Sequence, residues 1–163
     1  MSWLQQNLKI ALISLGIAAV AIFFIVSGES GPEAEINGLL DKLCDKLSYE
    51  TQPAKLSQLT SAKELSGYFT EDPYLLAWPG RAAVTSRDGV SGVFMYVFSY
   101  ASEADVSMSS RQVTIDGNRA IVTATITGRA TVAGDSERHS GRYRIELEKI
   151  DGDWLIASTE PIN

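Results

Sequence analysis

Three short turn signals in the C-terminal half constrain this chain more than any other feature. Asp116-Gly117, Gly134-Asp135 and Asp151-Gly152 each separate runs of residues that favour β-strands. Glycine paired with an acidic residue is typical of the two-residue turn of a β-hairpin. Strands joined in sequence by such turns form an antiparallel meander, so we predict a sheet from residue 105 to the C-terminus.

The register of the second hairpin follows from its turn. If Gly134-Asp135 is the loop, His139 lies opposite Ala130 and Tyr143 lies opposite Ile126. Apolar residues then share one face of both strands and polar residues share the other, as expected when one face is buried. The polar face contains three pairs: Thr127 with Arg142, Thr125 with Arg144, and Thr123 with Glu146.

The third hairpin extends the apolar face. With Asp151-Gly152 as its loop, Glu160 lies opposite Tyr143 on that face. The first strand of the meander is less regular, because Met108 and Val113 have opposite parity. A β-bulge between these two residues is therefore predicted.

Helical patterns precede the sheet. Apolar residues recur at helical spacing from Ile36 to Leu47 and predict a helix over residues 33–49. Cys44, the only cysteine, lies on the apolar face of this helix, so we expect a buried structural thiol and no intrachain disulfide.

Shorter elements are predicted between this helix and the sheet. The capping box at residues 61–64 predicts a short helix through Phe69, followed by a loop at residues 70–73. Residues 82–86 are assigned to a short strand. Ser86 is predicted to cap a helix from Arg87, although residues 93–98 also have high strand propensity. The apolar face of this last helix consists of Val90, Val93, Phe94, Val97 and Ala101.

An uncharged segment lies near the N-terminus. Residues 10–26 read IALISLGIAAVAIFFIV, and as a helix they would extend ~25 Å, close to the ~30 Å hydrocarbon core of a bilayer. Lys9 precedes this segment, and Glu29 follows it. The positive-inside rule then places the N-terminus in the cytoplasm and the rest of the chain outside it.

The domain organisation follows from this segment. We predict a transmembrane anchor over residues 1–28 and one extracytoplasmic domain over residues 29–163, with residues 29–35 as a tether. The alternative is a signal peptide cleaved near Ser27-Gly28, which would give a secreted domain. We favour the anchor, because the apolar part of a signal peptide is normally shorter, about 7–15 residues.

The charge of the domain limits its partners. Without Lys9, the chain has 13 basic and 20 acidic residues, a net charge of −7. Such an acidic domain is not expected to bind nucleic acid or an anionic lipid surface. The chain has no P-loop, metalloprotease, CxxC or nucleophile-elbow motif. We therefore assign no catalytic residue, no metal site and no cofactor.

The order of these elements resembles the NTF2-like family, which includes SnoaL and ketosteroid isomerase. The resemblance lies in Ile36–Leu47, Ala62–Trp78, Val90–Ala101 and the closing hairpin LEKIDGDWLI, Leu147–Ile156. It implies an α+β cone, in which N-terminal helices pack on a curved antiparallel sheet and leave a pocket between them. The family includes enzymes, ligand-binding proteins and structural partners, so the fold leaves the function open.

Two surfaces are candidates for function. The concave face could form a small-molecule pocket, and a histidine or a desolvated carboxylate there could act as an acid or base. Each of these residues also has a plain structural interpretation, as core or as a solvated strand end. The candidate pocket residues are His139, Tyr143, Glu160, Trp78 and Tyr96.

The outer face of the sheet could instead contact a second copy or another protein. This face carries Thr123, Thr125, Thr127, Arg142 and Arg144. Because catalytic motifs are missing, the sequence favours a membrane-anchored binding or assembly module. The alternative is a pocket protein or an isomerase- or hydrolase-like enzyme that uses the concave face.

Overall fold

The computed structural model describes residues 31–77 and 81–162. The predicted anchor at residues 10–26 and the candidate pocket residue Trp78 lie outside the described residues. None of the helices in the described ranges is long and apolar enough to cross a membrane. Among the described residues, those from Ile36 onward form one compact unit, and residues 31–35 lie outside it.

The described chain contains three helices and one five-stranded sheet. The sheet has the order β1-β5-β4-β3-β2, with β1 parallel to β5 and every other pair antiparallel. This α+β architecture confirms the predicted fold class. The elements are α1 Pro32–Leu47, α2 Lys55–Ser66, β1 Phe69–Leu75, α3 Arg87–Tyr100, β2 Ala101–Asp116, β3 Arg119–Val132, β4 Asp135–Ile150 and β5 Asp153–Pro161.

Helices α1 and α3 form where the apolar periodicity predicted them. Ser86 caps α3, because its hydroxyl oxygen accepts a hydrogen bond of 3.1 Å from the backbone N–H of Gly89. The strand alternative for residues 93–98 is therefore wrong. The buried face of α3 agrees with the prediction at Val90, which is 1% exposed, but it also includes Phe98 at 1%, while the predicted Val93 is 46% exposed.

Helix α2 begins seven residues earlier than predicted. Ala54 is its N-cap residue, and the carbonyl of Ala54 accepts from Gln58 N–H at 2.9 Å. Ser61, which we predicted as a cap, lies inside the helix. Pro53 sets the start of α2, since proline is favoured at a helix boundary but not in a helix interior.

The predicted loop at residues 70–73 is also wrong, because these residues belong to β1. This strand lies at the edge of the sheet and pairs in parallel with β5, with Phe69 opposite Ile156. An edge position tolerates Pro73, which has no N–H to donate. The strand predicted at residues 82–86 is reduced to a single bridge between Val84 and Leu75.

The hairpin turns differ from the prediction by one residue at two of three positions. The loop between β3 and β4 is Ala133-Gly134, with φ of 52° and 91°, and the loop between β2 and β3 is Gly117-Asn118. Asp151-Gly152 is confirmed, with φ of 53° and 92°. In the two loops whose second residue is glycine, that glycine has the larger positive φ, which non-glycine residues rarely adopt.

The shift of the second loop changes the cross-strand partners but not the faces. His139 lies opposite Gly128 instead of Ala130, and Tyr143 lies opposite Ala124 instead of Ile126. Moving the loop by one residue moves each partner by two. Because side chains alternate with a period of two, every residue keeps its predicted face.

Strand β5 departs from the predicted register in a way that does change faces. A register shift between Glu146 and Leu147 places Tyr143 opposite Pro161 and Arg144 opposite Glu160. A bulge inverts the parity of the residues beyond it. Glu160 is therefore exposed on the outer face, and its predicted position beside Tyr143 is wrong.

The bulge predicted in β2 is confirmed. The register shifts between Ser109 and Gln112, and Ser110 has a φ of 53°. Arg111 then reaches helix α1, where its Nη2 lies 2.7 Å from Oδ1 of Asp41. This contact links β2 to helix α1.

Candidate functional site

An apolar cavity of about 280 Å³ lies between the helices and the concave face of the sheet. We call it the inner pocket. Its described lining is contributed by α1, β1, α3, the segments after β1 and before α3, and the four strands of the meander, so it forms only when all of these are packed together. The lining residues are Leu43, Leu47, Phe69, Leu75, Leu76, Ala77, Ala82, Val84, Val90, Val93, Phe94, Val106, Met108, Ile126, Tyr143, Ile145, Ile156 and Thr159.

The chemistry of this lining is almost uniform. Among the described lining residues, only Tyr143 and Thr159 have polar side chains, and none has a charged one. An apolar cavity of about 150 Å³ can hold benzene, so this pocket can hold an apolar body roughly twice that size. An isolated charge would be costly to bury there, since no described side chain could neutralise it.

A second cavity of about 750 Å³ adjoins the inner pocket, and we call it the vestibule. Its outer part is polar, with Arg129, Glu137, Arg138 and His139 among its lining residues. The two cavities therefore form one path from a polar opening to an apolar interior. Six residues line both of them: Leu47, Val93, Phe94, Val106, Ile126 and Tyr143.

Tyr143 is the polar side chain at the junction of the two cavities. It is 7% exposed, and its hydroxyl donates to the carbonyl oxygen of Ala77 at 2.8 Å. Nε2 of His139 lies 3.5 Å from the same hydroxyl. Burial raises the pKa of the Tyr143 phenol, so this group keeps its proton at neutral pH.

Gly141 gives the Tyr143 ring its space. A Cβ atom at position 141 would lie 3.2 Å from Cε2 of Tyr143 and 3.6 Å from Nε2 of His139. The missing side chain lets the tyrosine ring lean along β4 toward the histidine. Sequence reasoning missed this residue, although an isolated glycine within a strand often marks such a close approach.

A family model for the SnoaL-like domain matches residues 55–160, most of the described chain. The chain belongs to the SnoaL-like domain family. This finding confirms the NTF2-like resemblance that the sequence suggested.

Solved structures with the same fold support this assignment. An NTF2-like protein with a cystatin-like fold from Novosphingobium aromaticivorans is 16% identical, with a TM-score of 0.61 over 87% of this chain and 86% of that one. A protein of the same organism, provisionally named a scytalone dehydratase, is 16% identical, with a TM-score of 0.65 over 78% and 80% of the two chains.

A third neighbour comes from Xanthomonas campestris and is provisionally named a calcium/calmodulin-dependent protein kinase II association domain. It is 20% identical, with a TM-score of 0.64 over 81% of this chain and 87% of that one. At this level of identity the neighbours show the fold alone. No curated protein matches the chain.

The SnoaL-like fold brings together two of the five candidate pocket residues, His139 and Tyr143. Glu160 is on the opposite face of the sheet, opposite Arg144. Tyr96 contributes to the lining of neither cavity; it is 65% exposed and stacks on Tyr100 with ring centroids 4.5 Å apart. Ala77 accepts the hydrogen bond of the Tyr143 hydroxyl through its backbone carbonyl. The sequence could not predict this role, because any residue has such a carbonyl.

The outer face of the sheet carries the predicted threonines and arginines with revised partners. Thr123 lies opposite Arg144, and Thr125 lies opposite Arg142. Thr127 lies opposite Ser140, with 2.9 Å between their hydroxyl oxygens. Both arginines are exposed. The use of this face for protein contact stays a prediction.

The Cys44 thiol and the metal-binding potential of the acidic residues bear on reactivity outside the two cavities. Cys44 is 7% exposed, and burial raises the pKa of its thiol despite the opposing effect of the Arg111 guanidinium. A thiol in this state is a poor nucleophile, which fits the predicted structural role. Residues 31–77 and 81–162 contain no cluster of His, Cys, Asp and Glu suited to hold a metal ion.

Proposed function

We propose that this SnoaL-like domain binds a small, largely apolar molecule in the inner pocket. The observation that carries the proposal is the cavity of about 280 Å³ with no charged side chain in its described lining. An empty apolar cavity of this size costs stability, because its walls lack packing partners. A bound apolar molecule would restore these contacts.

Binding is better supported than acid–base catalysis. A general base must titrate near the operating pH and lie within hydrogen-bond reach of the reacting group. Tyr143 is the only titratable side chain in the described lining of the inner pocket, and its pKa is raised. Glu160, the carboxylate that the sequence placed beside it, is exposed on the outer face.

The cavity changes the order of the two hypotheses that the sequence left open. The sequence favoured a protein-binding or assembly role for the outer face. The alternative, a small-molecule pocket, would have been excluded if Phe and Leu side chains filled the space between the helices and the sheet. The name of the Xanthomonas campestris neighbour keeps the assembly role as a second proposal. Chemical cross-linking of the full chain in membranes would contradict that role if it gave only monomer.

The proposed function is tested by titrating the full chain with naphthalene. Naphthalene is about one and a half times the size of benzene, so it should fit the inner pocket and bind at a single saturable site, measured by isothermal titration calorimetry. The matched control ligand is naphthalene-1,5-disulfonate, which has the same rings and two charges. It should not bind in the apolar lining. Failure of naphthalene to saturate one site would contradict the proposal.

We further propose that residues 10–26 anchor the domain to a membrane and that the domain lies on the extracytoplasmic side. The uncharged length of this segment and the position of Lys9 before it support this arrangement. The full chain should stay in the membrane pellet after alkaline carbonate extraction. A chain that begins at residue 29 should remain in the supernatant. Release of the full chain by carbonate would contradict the anchor.

A further inference from the structure

The hydroxyl of Tyr143 has only part of its hydrogen-bonding capacity left for a ligand. A phenol has one proton to donate, and this proton is directed to the carbonyl oxygen of Ala77 at 2.8 Å. Nε2 of His139, at 3.5 Å, is the other polar atom near this oxygen. The phenol oxygen can still accept a hydrogen bond, but it has no second proton to give.

The Tyr143 oxygen is the hydrogen-bonding side-chain atom that β4 contributes to the described lining of the inner pocket. The other polar side chain of the described lining is Thr159, on β5, and the remaining lining residues are apolar. A ligand hydroxyl can donate to the Tyr143 oxygen while Tyr143 keeps its bond to Ala77. A ketone oxygen can only accept, so it would be buried against an acceptor or would have to displace the Ala77 carbonyl.

We propose that the inner pocket selects apolar alcohols and phenols over ketones of the same carbon skeleton, because Tyr143 receives a hydrogen bond from the ligand. This inference rests on the proposed function, since it assumes that the ligand occupies the inner pocket. The apolar body fills the space under α3, and the hydroxyl lies at the junction with the vestibule.

The raised pKa of Tyr143 is consistent with this arrangement. The phenol keeps its proton at neutral pH, so its bond to Ala77 persists. Gly141 contributes by leaving room for the ring, which places the hydroxyl beside His139. Tyr143 is therefore a specificity-determining residue, and Gly141 is a positioning residue.

The test compares cyclodecanol with cyclodecanone, which share one ring skeleton and differ in the donor. Both are titrated into the full chain by isothermal titration calorimetry. One neutral hydrogen bond should make the alcohol bind roughly five-fold more tightly than the ketone. In Tyr143→Phe the two affinities should become equal, because the phenol oxygen that receives the ligand's hydrogen bond is removed.

The matched control is Tyr96→Phe, which removes a hydroxyl from an exposed tyrosine that lines neither cavity. This variant should keep the full preference for cyclodecanol. Equal or tighter binding of the ketone by the unmodified chain, or an unchanged preference in Tyr143→Phe, would overturn the inference and leave the apolar pocket intact. If naphthalene and both cyclic ligands all fail to bind, the proposed function itself is wrong.

Discussion

Val106→Trp should abolish binding of naphthalene to the full chain. Val106 is half-buried on β2 and lines both the inner pocket and the vestibule. An indole side chain at this position would occupy the passage between the two cavities. Protein interiors are close-packed, so the ligand and the indole cannot share this space. We expect the affinity to fall about 100-fold or more, measured by isothermal titration calorimetry.

The matched control is Val132→Trp on the neighbouring strand β3. Val132 is 45% exposed and lines neither cavity, so naphthalene should bind this variant as tightly as the unmodified chain. A larger side chain in a well-packed core lowers the free energy of unfolding by about 1–3 kcal/mol. Because Val106 borders a cavity, we expect the loss in Val106→Trp to be near the lower limit. Urea unfolding would show that both variants are folded. Unchanged binding by Val106→Trp would place the ligand elsewhere.

Phe98→Ala should produce the largest loss of stability among single substitutions in α3. Phe98 is 1% exposed, and its ring centroid lies 5.7 Å from that of Tyr49. The backbone carbonyl of Phe98 also accepts from Nε2 of Gln52 at 2.8 Å, which ties α3 to the segment before α2. Truncation of a buried phenylalanine costs about 3–5 kcal/mol, a large part of the 5–15 kcal/mol that typically stabilises a domain.

Tyr96→Ala is the control for this substitution, because it removes an aromatic ring from the same helix two residues earlier. Tyr96 is 65% exposed, so only its stacking on Tyr100 is lost, and the free energy of unfolding should change by less than about 1 kcal/mol. The measurement is urea unfolding followed by circular dichroism. A similar loss in both variants would show that Phe98 is not a central core residue.

Phe98 also shows the limit of periodicity as a guide to the core. The predicted apolar face of α3 included Val90, which is buried, and Val93, which is 46% exposed, and the buried face extends to Phe98. Six consecutive positions of this helix, residues 93–98, carry five apolar side chains and one tyrosine. Such a segment forms a helix with an ambiguous face, and packing against Tyr49 and α2 decides which side is buried.

The hairpins illustrate what local sequence can and cannot specify. Turn residues and alternating polarity were sufficient to predict the meander and the concave face of β3 and β4. The predicted loop positions were wrong by one residue at two turns. The predicted faces of β3 and β4 were still correct, because each cross-strand partner moved by two residues. At β5 the bulge moved the partners by one, and Glu160 left the concave face.

The candidate site was predicted in part for the same reason. His139 and Tyr143 are four residues apart on one strand, so their common face follows from strand periodicity alone. Ala77 and Gly141 could not be found in this way. One acts through its carbonyl oxygen after β1, and the other acts through a missing Cβ.

By itself, the sequence determined the antiparallel meander, helices α1 and α3, the buried Cys44 and the face shared by His139 and Tyr143. These features depend on local periodicity, capping and turn chemistry, which act over a few residues. Tertiary structure alone decided the parallel pairing of β1 with β5, the outward position of Glu160 and the existence of the inner pocket. Each of these depends on how distant segments pack, and a cavity is the volume that those segments leave unfilled.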